Sequence, residues 1–473
     1  MTSIRIEHID TPEGRALWRE MLDRMPGLQG TLNYVTAQQD RSSERHLRWY
    51  QRELFERWFF RVPCPRTGRM IHSGDSWTVH ERKTLFRFPD APELILASAN
   101  LGDGFPISTA LLPELGAGLT FGSRVWSLTP EEATEALTAF ARPEWQSLRP
   151  ANAAIALCGD ENYAHVLWNQ LPALQEAARL PHWRGPVTLY SLLEPLGDVR
   201  DLLPALKDWP VERFGPYRMP NAPGQVTFCF GSTYIDRQTR LDVLAHARQA
   251  VSPSLRRLIG QIGGRFPVVW ISVRTGNRTA TNQRAFLVAL CTGILRHWPK
   301  SAILLDGFSL PANHSYRPRD EMVQAVERDR TEIAAIRRAV CPSAPDGEQR
   351  VIDASGLSIT DSIALAEHAS LSVCHHGTIQ HKIGWTVGVP GVVHSNRQVL
   401  ERTPGQWAAE QAEGVAVPYY LPPELVVDEE VDLTNINVER FSLLNGNYRF
   451  ASPDEAATHA LRELARQLRV GTL

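Results

Sequence analysis

Two arginines lie four positions apart in the segment 270–282, whose sequence is WISVRTGNRTATN. An apolar, β-rich run precedes Arg274, and a helix is expected to begin near Asn282, just beyond Arg278. Guanidinium groups match phosphate oxygens in a bidentate manner and stay charged at any relevant pH. At a strand end beside a helix N-terminus, the three residues predict an anion site. The alternative is that these loop arginines are solvated or paired with surface carboxylates.

A second segment of the same design covers residues 370–393, SLSVCHHGTIQHKIGWTVGVPGVV. Its glycine permits a close approach of the backbone to a ligand, and the threonine after it can cap a helix or bond a phosphate oxygen. A metal site is disfavoured because the two adjacent histidines of a continuing strand would point to opposite faces, and no carboxylate follows nearby. Structural histidines in a turn are the other alternative. The residues predicted here to bind the anion are His375, His376, Gly377, Thr378 and Lys382.

Acidic and imidazole side chains follow an earlier strand. Asp160, Glu161 and His165 are candidate general bases. In a group-transfer reaction a base is needed to deprotonate the hydroxyl of the acceptor, the molecule that receives the transferred group. The alternative is that Asp160 caps the next helix and His165 packs against its surroundings. Asn162 and, at the end of a later strand, Asp306 are candidate acceptor or cleft residues. For Asp306 a role in a loop turn is the alternative.

Strands and helices alternate from about residue 152 onward, which predicts βαβ units with parallel sheets. The short, uninterrupted apolar runs are typical of strands covered on both faces. Because the carboxyl ends of parallel strands share one edge, the polar segments above can contribute to ligand sites. Pro172 is expected to kink its helix. The predicted strands are 153–158, 186–192, 225–230, 267–273, 301–306, 350–353, 371–374 and 389–393, and the predicted helices are 163–180, 282–297, 320–340, 359–368, 378–387 and 452–468.

The first 150 residues carry weaker patterns. They are rich in Trp, Arg and Pro, with a strand candidate at 93–98 and a helix candidate at 43–58. We expect mixed α and β structure with many loops, and the sequence does not assign this region a function.

Composition excludes several classes of protein. The 473 residues suffice for two to three domains, and 43% hydrophobic with 22% charged residues is typical of a globular protein. With 50 basic and 52 acidic residues the formal net charge is −2, so no general attraction to nucleic acid or an anionic membrane is expected, and any anion site must be local.

Targeting signals and cysteine spacing predict the compartment. No apolar run approaches the ~18 residues of a membrane span, and the first residues lack the apolar core of a secretory signal. The six cysteines are scattered, without a CxxC pair, which indicates reduced thiols rather than disulfides or a zinc site. A cytoplasmic location is therefore expected, and the oligomeric state stays open.

The polar segments resemble motifs of a glycosyltransferase family. NYAH at 162–165, followed by Leu171-Pro172, resembles the "N-(F/Y)-x-H … LP" element of the family of plant xylan arabinosyl- and xylosyltransferases and the EGF-domain O-GlcNAc transferase. ISVRTGNRTATN is similar to its two-arginine element, and residues 370–382 resemble its "HGAGLTN" element, although HHGTIQHK stands here. The last element is also similar, more weakly, to one of the bacterial heptosyltransferases. The resemblance covers about residues 150–400.

The resemblance implies an α/β chain of the GT-B type, with two Rossmann-like domains facing a cleft and a less regular N-terminal α+β region. It implies transfer of a sugar from a nucleotide-sugar donor to a glycan or surface-polysaccharide acceptor, by inversion, without a cofactor or metal. An epimerase or hydrolase of the same fold and a non-catalytic nucleotide- or glycan-binding protein are the alternatives. The domains are predicted as 1–150, 151–262 for the acceptor, 263–425 for the donor, and 426–473, whose helix would cross back to the N-terminal domain.

Overall fold

Two compact units make up the chain. The N-terminal unit comprises Met1–Glu161, His165–Glu194 and Val199–Tyr234, and the C-terminal unit comprises Asn162–Ala164, Pro195–Asp198 and Ile235–Leu473. Within the described ranges, none of the helices has the length and apolar character that crossing a membrane requires. The computed structural model describes residues 4–42, 47–79, 82–123, 126–180, 187–191, 193–213, 219–276, 278–312, 319–342, 350–402, 412–430 and 445–470.

The N-terminal unit contains a six-stranded sheet, a four-stranded sheet and a two-stranded hairpin. Its strands are β1 (Arg5–His8), β2 (Arg61–Pro63), β3 (Met70–His72), β4 (Ser76–Thr78), β5 (Thr84–Arg87), β6 (Ile95–Ser98), β7 (Ile107–Leu112), β8 (Ala117–Thr120), β9 (Ala153–Cys158), β10 (Val187–Ser191), β11 (Val211–Arg213) and β12 (Gln225–Cys229). Its longer helices are Pro12–Arg24, Leu28–Ser42, Trp49–Arg57, Pro130–Phe140 and Leu171–Ala178.

The six-stranded sheet has the order β1-β8-β7-β6-β5-β4 and is antiparallel except for the pair β1 and β8. Helix Pro130–Phe140 packs its alanines on the buried side chains of this sheet. Thr129 and Glu132 cap this helix reciprocally, and Pro130 stands at its first position, where no amide donor is needed. Residues 1–150 are therefore a mixed α and β structure, as predicted.

The four-stranded sheet is parallel, in the order β11-β10-β9-β12. Its edge strand β12 adjoins β4, where the Ser76 hydroxyl donates to the carbonyl of Thr227 at 2.9 Å and accepts its amide at 2.8 Å. The N-terminal region and the first parallel sheet thus belong to one compact unit, although the predicted domains separate them at residue 150.

The C-terminal unit contains a six-stranded parallel sheet in the order β15-β14-β13-β16-β17-β18. Numbered from β13, this is the strand order 3-2-1-4-5-6 of a doubly wound α/β fold, which reverses between β13 and β16. Ligands of such sheets bind at this reversal, beyond the carboxyl ends of the strands. The strands are β13 (Val268–Ser272), β14 (Ala302–Asp306), β15 (Val351–Asp353), β16 (Leu371–His375), β17 (Gly391–His394), β18 (Tyr419–Tyr420), β19 (Val426–Asp428) and β20 (Tyr448–Phe450).

The predicted alternation of this unit is confirmed. Every residue of β13, β14, β16 and β17 is buried, which explains why these strands are continuous apolar runs. The predicted helix 378–387 consists of one α-helical turn, Thr378–Gln380, followed by a π-helical segment, His381–Val387. The longer helices are Arg237–Gln249, Pro253–Ile262, Gln283–His297, Arg319–Val340, Ile359–Ala366 and Pro453–Val470.

The last helix begins where the sequence predicts it. The Ser452 hydroxyl accepts the amide of Glu455 at 3.3 Å, and Pro453 occupies the first helical position. Its buried face, which includes Leu464, joins the core of the C-terminal unit beside helix Gln283–His297. The buried side chains of this helix therefore pack within the C-terminal unit, whereas the sequence suggested a crossing to the N-terminal domain.

Candidate functional site

The two arginines lie on the loop that leaves β13. Gln283, in the first turn of the following helix, holds this loop by donating to the carbonyl of Arg274 at 2.6 Å and accepting its amide at 3.3 Å. Arg278 has a left-handed backbone, with φ of 54°, which is uncommon for a residue with a Cβ atom. Such conformations persist where the surrounding structure holds them, and they cluster at ligand sites.

The electrostatics of the loop favour an anion. Burial and, second, the charge of Arg278 lower the pKa of Arg274 to about 10. Burial also lowers the pKa of Arg278. In the described part of the chain, the Arg278 guanidinium forms no ion pair, and its buried Nε has no hydrogen-bond partner. Two like charges in partial burial therefore favour a negatively charged ligand.

Gly377 brings the second segment close to the arginines. It has φ of 109° and ψ of −145°, a combination that residues with a Cβ atom essentially never adopt. A Cβ atom built on Gly377 would lie 3.2 Å from Nη1 of Arg278. Gly377 therefore closely approaches Arg278, across the reversal point between β13 and β16, and the predicted approach of a ligand at this glycine stays a prediction.

His376 is half-buried beside the arginines. Burial, then Arg278, then Arg274 lower the pKa of His376 to about 4, so its imidazole is neutral at pH 7. Its Nδ1 lies 3.1 Å from the hydroxyl of Tyr420, which donates to Gln380. A neutral imidazole in this place can bond a ligand but adds no charge to the site.

His375 is buried and is therefore less suited to direct contact with a ligand than the sequence suggested. Its amide donates to the Ser272 hydroxyl at 3.0 Å, and its Nδ1 lies 2.8 Å from the same oxygen. Its ring is 4.3 Å from that of His394, whose Nδ1 is 2.6 Å from the Tyr448 hydroxyl. Burial lowers the pKa of both histidines, that of His394 to about 3, so both are neutral.

Thr378 contributes through its backbone. Its carbonyl accepts a short hydrogen bond from the hydroxyl of Tyr163, a buried residue that belongs to the C-terminal unit. Asn162, next to it, accepts the amide of Ala164 at 3.1 Å with its side chain and so supports the turn after β9.

Three predicted site residues have structural partners instead. The Lys382 ammonium lies 2.5 Å from Asp306 and 2.9 Å from the Ser309 hydroxyl, and Lys382 and Asp306 are 2% and 0% exposed. Such burial corrects the predictions that Lys382 binds diphosphate and that Asp306 binds an acceptor. Asn282 uses both ends of its amide on Phe450, each at 2.9 Å, so it joins the helix start to β20 and is not available as a ligand.

The acidic candidates follow β9 at the carboxyl edge of the four-stranded sheet. Asp160 is 9% exposed and forms a short ion pair with Arg82, which also donates to the carbonyl of Gly159 at 2.6 Å. This pairing supports the turn and makes Asp160 a weaker candidate for a base than the sequence suggested, because its carboxylate is committed to the guanidinium. Glu161 is half-buried at the adjacent position.

His165 has the geometry of an oriented imidazole. Its Nδ1 lies 2.8 Å from Oδ1 of Asn169, and its ring stacks on Trp168 with 6.4 Å between centroids. Asn169 is fully buried, and its amide nitrogen donates to the carbonyl of Ser232 at 2.7 Å. His165 ends the turn Tyr163–His165, and Asn169 lies in the π-helical segment Val166–Gln170, which leads into the helix that contains Pro172.

Sequence reasoning missed the residues that position the arginine loop from other elements. Asp329, on helix Arg319–Val340, accepts the Thr275 hydroxyl at 2.5 Å and the amide of Phe308 at 2.7 Å, and so ties together the loops after β13 and β14. His394 and Tyr448 were also missed. His394 ends a strand within a recognisable strand-helix-strand pattern, whereas nothing in the sequence around Asp329 or Tyr448 indicates their roles.

Among the residues that the structure describes, no group of three or more His, Cys, Asp or Glu side chains is placed to hold a metal ion.

Comparison with known proteins gives only distant similarity. No protein-family model and no curated protein matches the chain. Among solved structures, E. coli ADP-heptose lps heptosyltransferase II is 10% identical, with 68% of this chain and 100% of that chain covered and a TM-score of 0.37.

Two other solved structures have comparable sequence identity and lower TM-scores. A UDP-forming α,α-trehalose-phosphate synthase from Burkholderia xenovorans is 11% identical over 71% of this chain and 70% of that chain, with a TM-score of 0.28. A family 9 glycosyl transferase from Veillonella parvula is 10% identical over 57% and 86%, with a TM-score of 0.26. Similarity at this level assigns the chain to no family.

Proposed function

We propose that the protein is a glycosyltransferase of the GT-B type that uses a nucleotide sugar as donor. The observation that carries the proposal is the arginine pair at the reversal point of the C-terminal sheet, where burial and mutual repulsion lower the pKa of Arg274. A nucleoside diphosphate supplies the negative charge that this site lacks. In the proposal the C-terminal unit binds the donor, and the N-terminal unit binds a glycan or surface-polysaccharide acceptor.

The contacts of the donor site assign roles to its residues. Arg274 and Arg278 bind the diphosphate and stabilise the charge that develops on it as the glycosidic bond breaks. Gly377 permits the close packing of Arg278 against the second loop, and neutral His376 donates or accepts one hydrogen bond. Lys382 and Asp306 act behind this surface, since their buried ion pair joins the π-helical segment to the end of β14.

The proposed reaction is a direct displacement with inversion. The acceptor oxygen forms a bond to the anomeric carbon while the bond from that carbon to the phosphate oxygen breaks, and the electron pair leaves with the nucleoside diphosphate. The proton of the acceptor hydroxyl passes to a base, for which Asp160, Glu161 and His165 are the candidates. The two arginines supply the charge stabilisation in this scheme, without a metal or cofactor.

Binding of nucleoside diphosphates tests the proposal. Thermal shift with ADP, GDP, UDP and CDP, followed by calorimetry with the strongest ligand, should identify a nucleotide that binds the wild-type protein. Arg274→Ala and Arg278→Ala should each weaken its binding by about 10- to 100-fold, since a hydrogen bond to a charged group contributes about 1.5–3 kcal/mol. Arg284→Ala is the matched control. Arg284 lies in the first turn of helix Gln283–His297, which follows the arginine loop, but it is exposed and paired with Glu332.

Four outcomes would contradict the proposal. Absence of binding by all four nucleotides, or unchanged affinity in both arginine variants, would remove its basis. Consumption of a nucleotide sugar at the same rate with and without an acceptor would indicate an epimerase or hydrolase. Binding without transfer to any glycan acceptor would indicate a non-catalytic nucleotide-binding protein.

A further inference from the structure

We infer that Asn169 is a positioning residue that holds His165 in one tautomer, with the proton on Nδ1 and with Nε2 as the atom that accepts the acceptor's proton. The inference rests on the proposed function for the reaction itself, but the tautomer is a property of the protein alone. Nothing in the sequence around Asn169 indicates this role.

The hydrogen bonds leave one consistent arrangement. The carbonyl of Ser232 can only accept, so the group of Asn169 that faces it at 2.7 Å must be the amide nitrogen. The amide oxygen then faces Nδ1 of His165 at 2.8 Å. Because an amide oxygen also only accepts, Nδ1 must carry a proton. In the neutral imidazole this leaves the lone pair on Nε2, which has no hydrogen-bond partner in the described part of the chain.

Asn169 itself is held firmly enough to orient another side chain. It is fully buried, and its own carbonyl accepts the amide of Ser232 at 2.7 Å, so backbone and side chain both bond to one residue beyond β12. Ser232 is in turn held by its hydroxyl, which accepts the amide of Tyr234 at 3.1 Å. β12 is the neighbour of β9 in the four-stranded sheet. The two hydrogen bonds between Asn169 and Ser232 therefore hold His165 at the reversal point of this sheet.

The local helix geometry explains how the pair forms. Residues four apart on a helix face each other, and here the π-helical segment Val166–Gln170 carries Asn169. Pro172 lacks an amide proton, so the turn before it loses a regular α-helical hydrogen bond and opens to the wider spacing. Single π-helical turns of this kind are frequent at functional sites.

The partner of Asp160 favours His165 over Asp160 as the base. Asp160 is 9% exposed, and its carboxylate is committed to an ion pair with Arg82 that supports the turn after β9. His165 is half-buried, stacked on Trp168, and has its basic nitrogen uncommitted to other described residues. In the transfer step the acceptor O–H bond breaks, the proton adds to Nε2, and the resulting imidazolium keeps its Nδ1–H bond to Asn169.

The tautomer can be observed directly by NMR. In protein labelled with 15N at its histidines, the two-bond couplings between ring protons and nitrogens distinguish Nδ1–H from Nε2–H. We expect the His165 signals, identified by their disappearance in His165→Gln, to show the neutral pattern with the proton on Nδ1. This pattern should be lost in Asn169→Ala.

A matched control is Asn221→Ala. Asn221 lies in the same unit and bonds the backbone of Thr78 with both ends of its amide, at 2.8 Å each. This variant removes the two hydrogen bonds to Thr78 and should leave the His165 signals unchanged. Asn169→Ala should also slow release of nucleoside diphosphate from a nucleotide sugar, by at most the ~10²–10⁴-fold that general-base catalysis contributes. Its affinity for the nucleoside diphosphate should stay the same.

A proton on Nε2 of His165 in the wild-type protein would overturn the inference, as would an Nδ1–H tautomer that survives in Asn169→Ala. If the proposed function is wrong, the result is different: the wild-type protein binds no nucleoside diphosphate, but His165 still shows the expected Nδ1–H tautomer. The two failures can therefore be distinguished.

Discussion

Arg278 combines a strained backbone with a cation that lacks an ion pair among the described residues. A left-handed conformation costs a residue with a Cβ atom about 1 kcal/mol relative to glycine, and a nearby like charge adds to the cost. We therefore expect Arg278→Gly to raise the free energy of unfolding by about 1 kcal/mol while it abolishes nucleoside diphosphate binding. Urea denaturation and calorimetry measure the two effects. An Arg278→Gly variant less stable than the wild-type protein would contradict the strain assigned to this loop. The control Arg284→Gly, in the regular helix Gln283–His297, should be destabilised.

Gly377 is the residue whose absence of a side chain the site requires. Alanine at φ of 109° is strained, and its Cβ atom would press on Nη1 of Arg278 at 3.2 Å. Gly377→Ala should therefore lower the free energy of unfolding by about 1–3 kcal/mol and weaken nucleoside diphosphate binding. Gly260→Ala is the control, because a Cβ atom there meets nothing within 4 Å and φ is not positive. It should be neutral or stabilising. Equal effects of both substitutions in urea denaturation would show that the contact with Arg278 is unimportant.

At the scale of elements, the buried pair of Lys382 and Asp306 joins the π-helical segment to the end of β14. Removal of one partner leaves the other charge buried, which usually costs about 3–5 kcal/mol. Lys382→Met should therefore lower the free energy of unfolding strongly. The double variant Lys382→Met with Asp306→Asn should recover most of the loss, because no buried charge remains. A double variant as unstable as the single one would contradict this account.

The pH dependence of Lys382→Met has a definite sign. Burial raises the pKa of Asp306 even with Lys382 present, and loss of the ammonium raises it further. A carboxyl group with a raised pKa binds a proton more readily in the folded protein than in the unfolded chain. The variant should therefore be most stable at acid pH and lose stability as pH rises from about 4, the unfolded value, through the raised folded pKa. Urea denaturation from pH 4 to pH 8 measures this. A variant that gains stability over this range would contradict the assignment.

At the scale of the whole molecule, ligand binding should act on the two units differently. A nucleoside diphosphate bound at the arginine pair stabilises the state that binds it, by RT ln(1 + [L]/Kd). Hydrogen exchange with saturating nucleotide should therefore slow in the loops 273–283 and 375–388 of the C-terminal unit. The loop 159–165 after β9 should change less with nucleotide alone. Protection centred on the N-terminal unit would place the nucleotide site elsewhere.

The strands and helices of the C-terminal unit could be predicted because each depends on local pattern. β13 and β14 are short apolar runs covered on both faces, and the helix after Ser452 carries its own start signals. The N-terminal sheet was less predictable, since its antiparallel pairs join segments whose patterns are short and broken by turns. The positions of Arg274, Arg278 and Gly377 at one sheet edge also followed from the alternation of strands and helices.

The roles of individual polar residues depended on partners that are distant in the chain. Lys382 and Asp306 carry charges that suit a ligand site, yet a contact 76 positions apart buries them against each other. Asn282 is committed to Phe450, and Asn169 orients His165 only because Ser232, in the segment after β12, bonds to it. The sequence alone determined which strand ends carry cations, bases and glycine, since hydrophobic period and turn chemistry are local properties. Only the tertiary structure decided which of those side chains are left with unsatisfied charge or an open lone pair, because hydrogen-bond and ion-pair partners come from the packing of the whole chain.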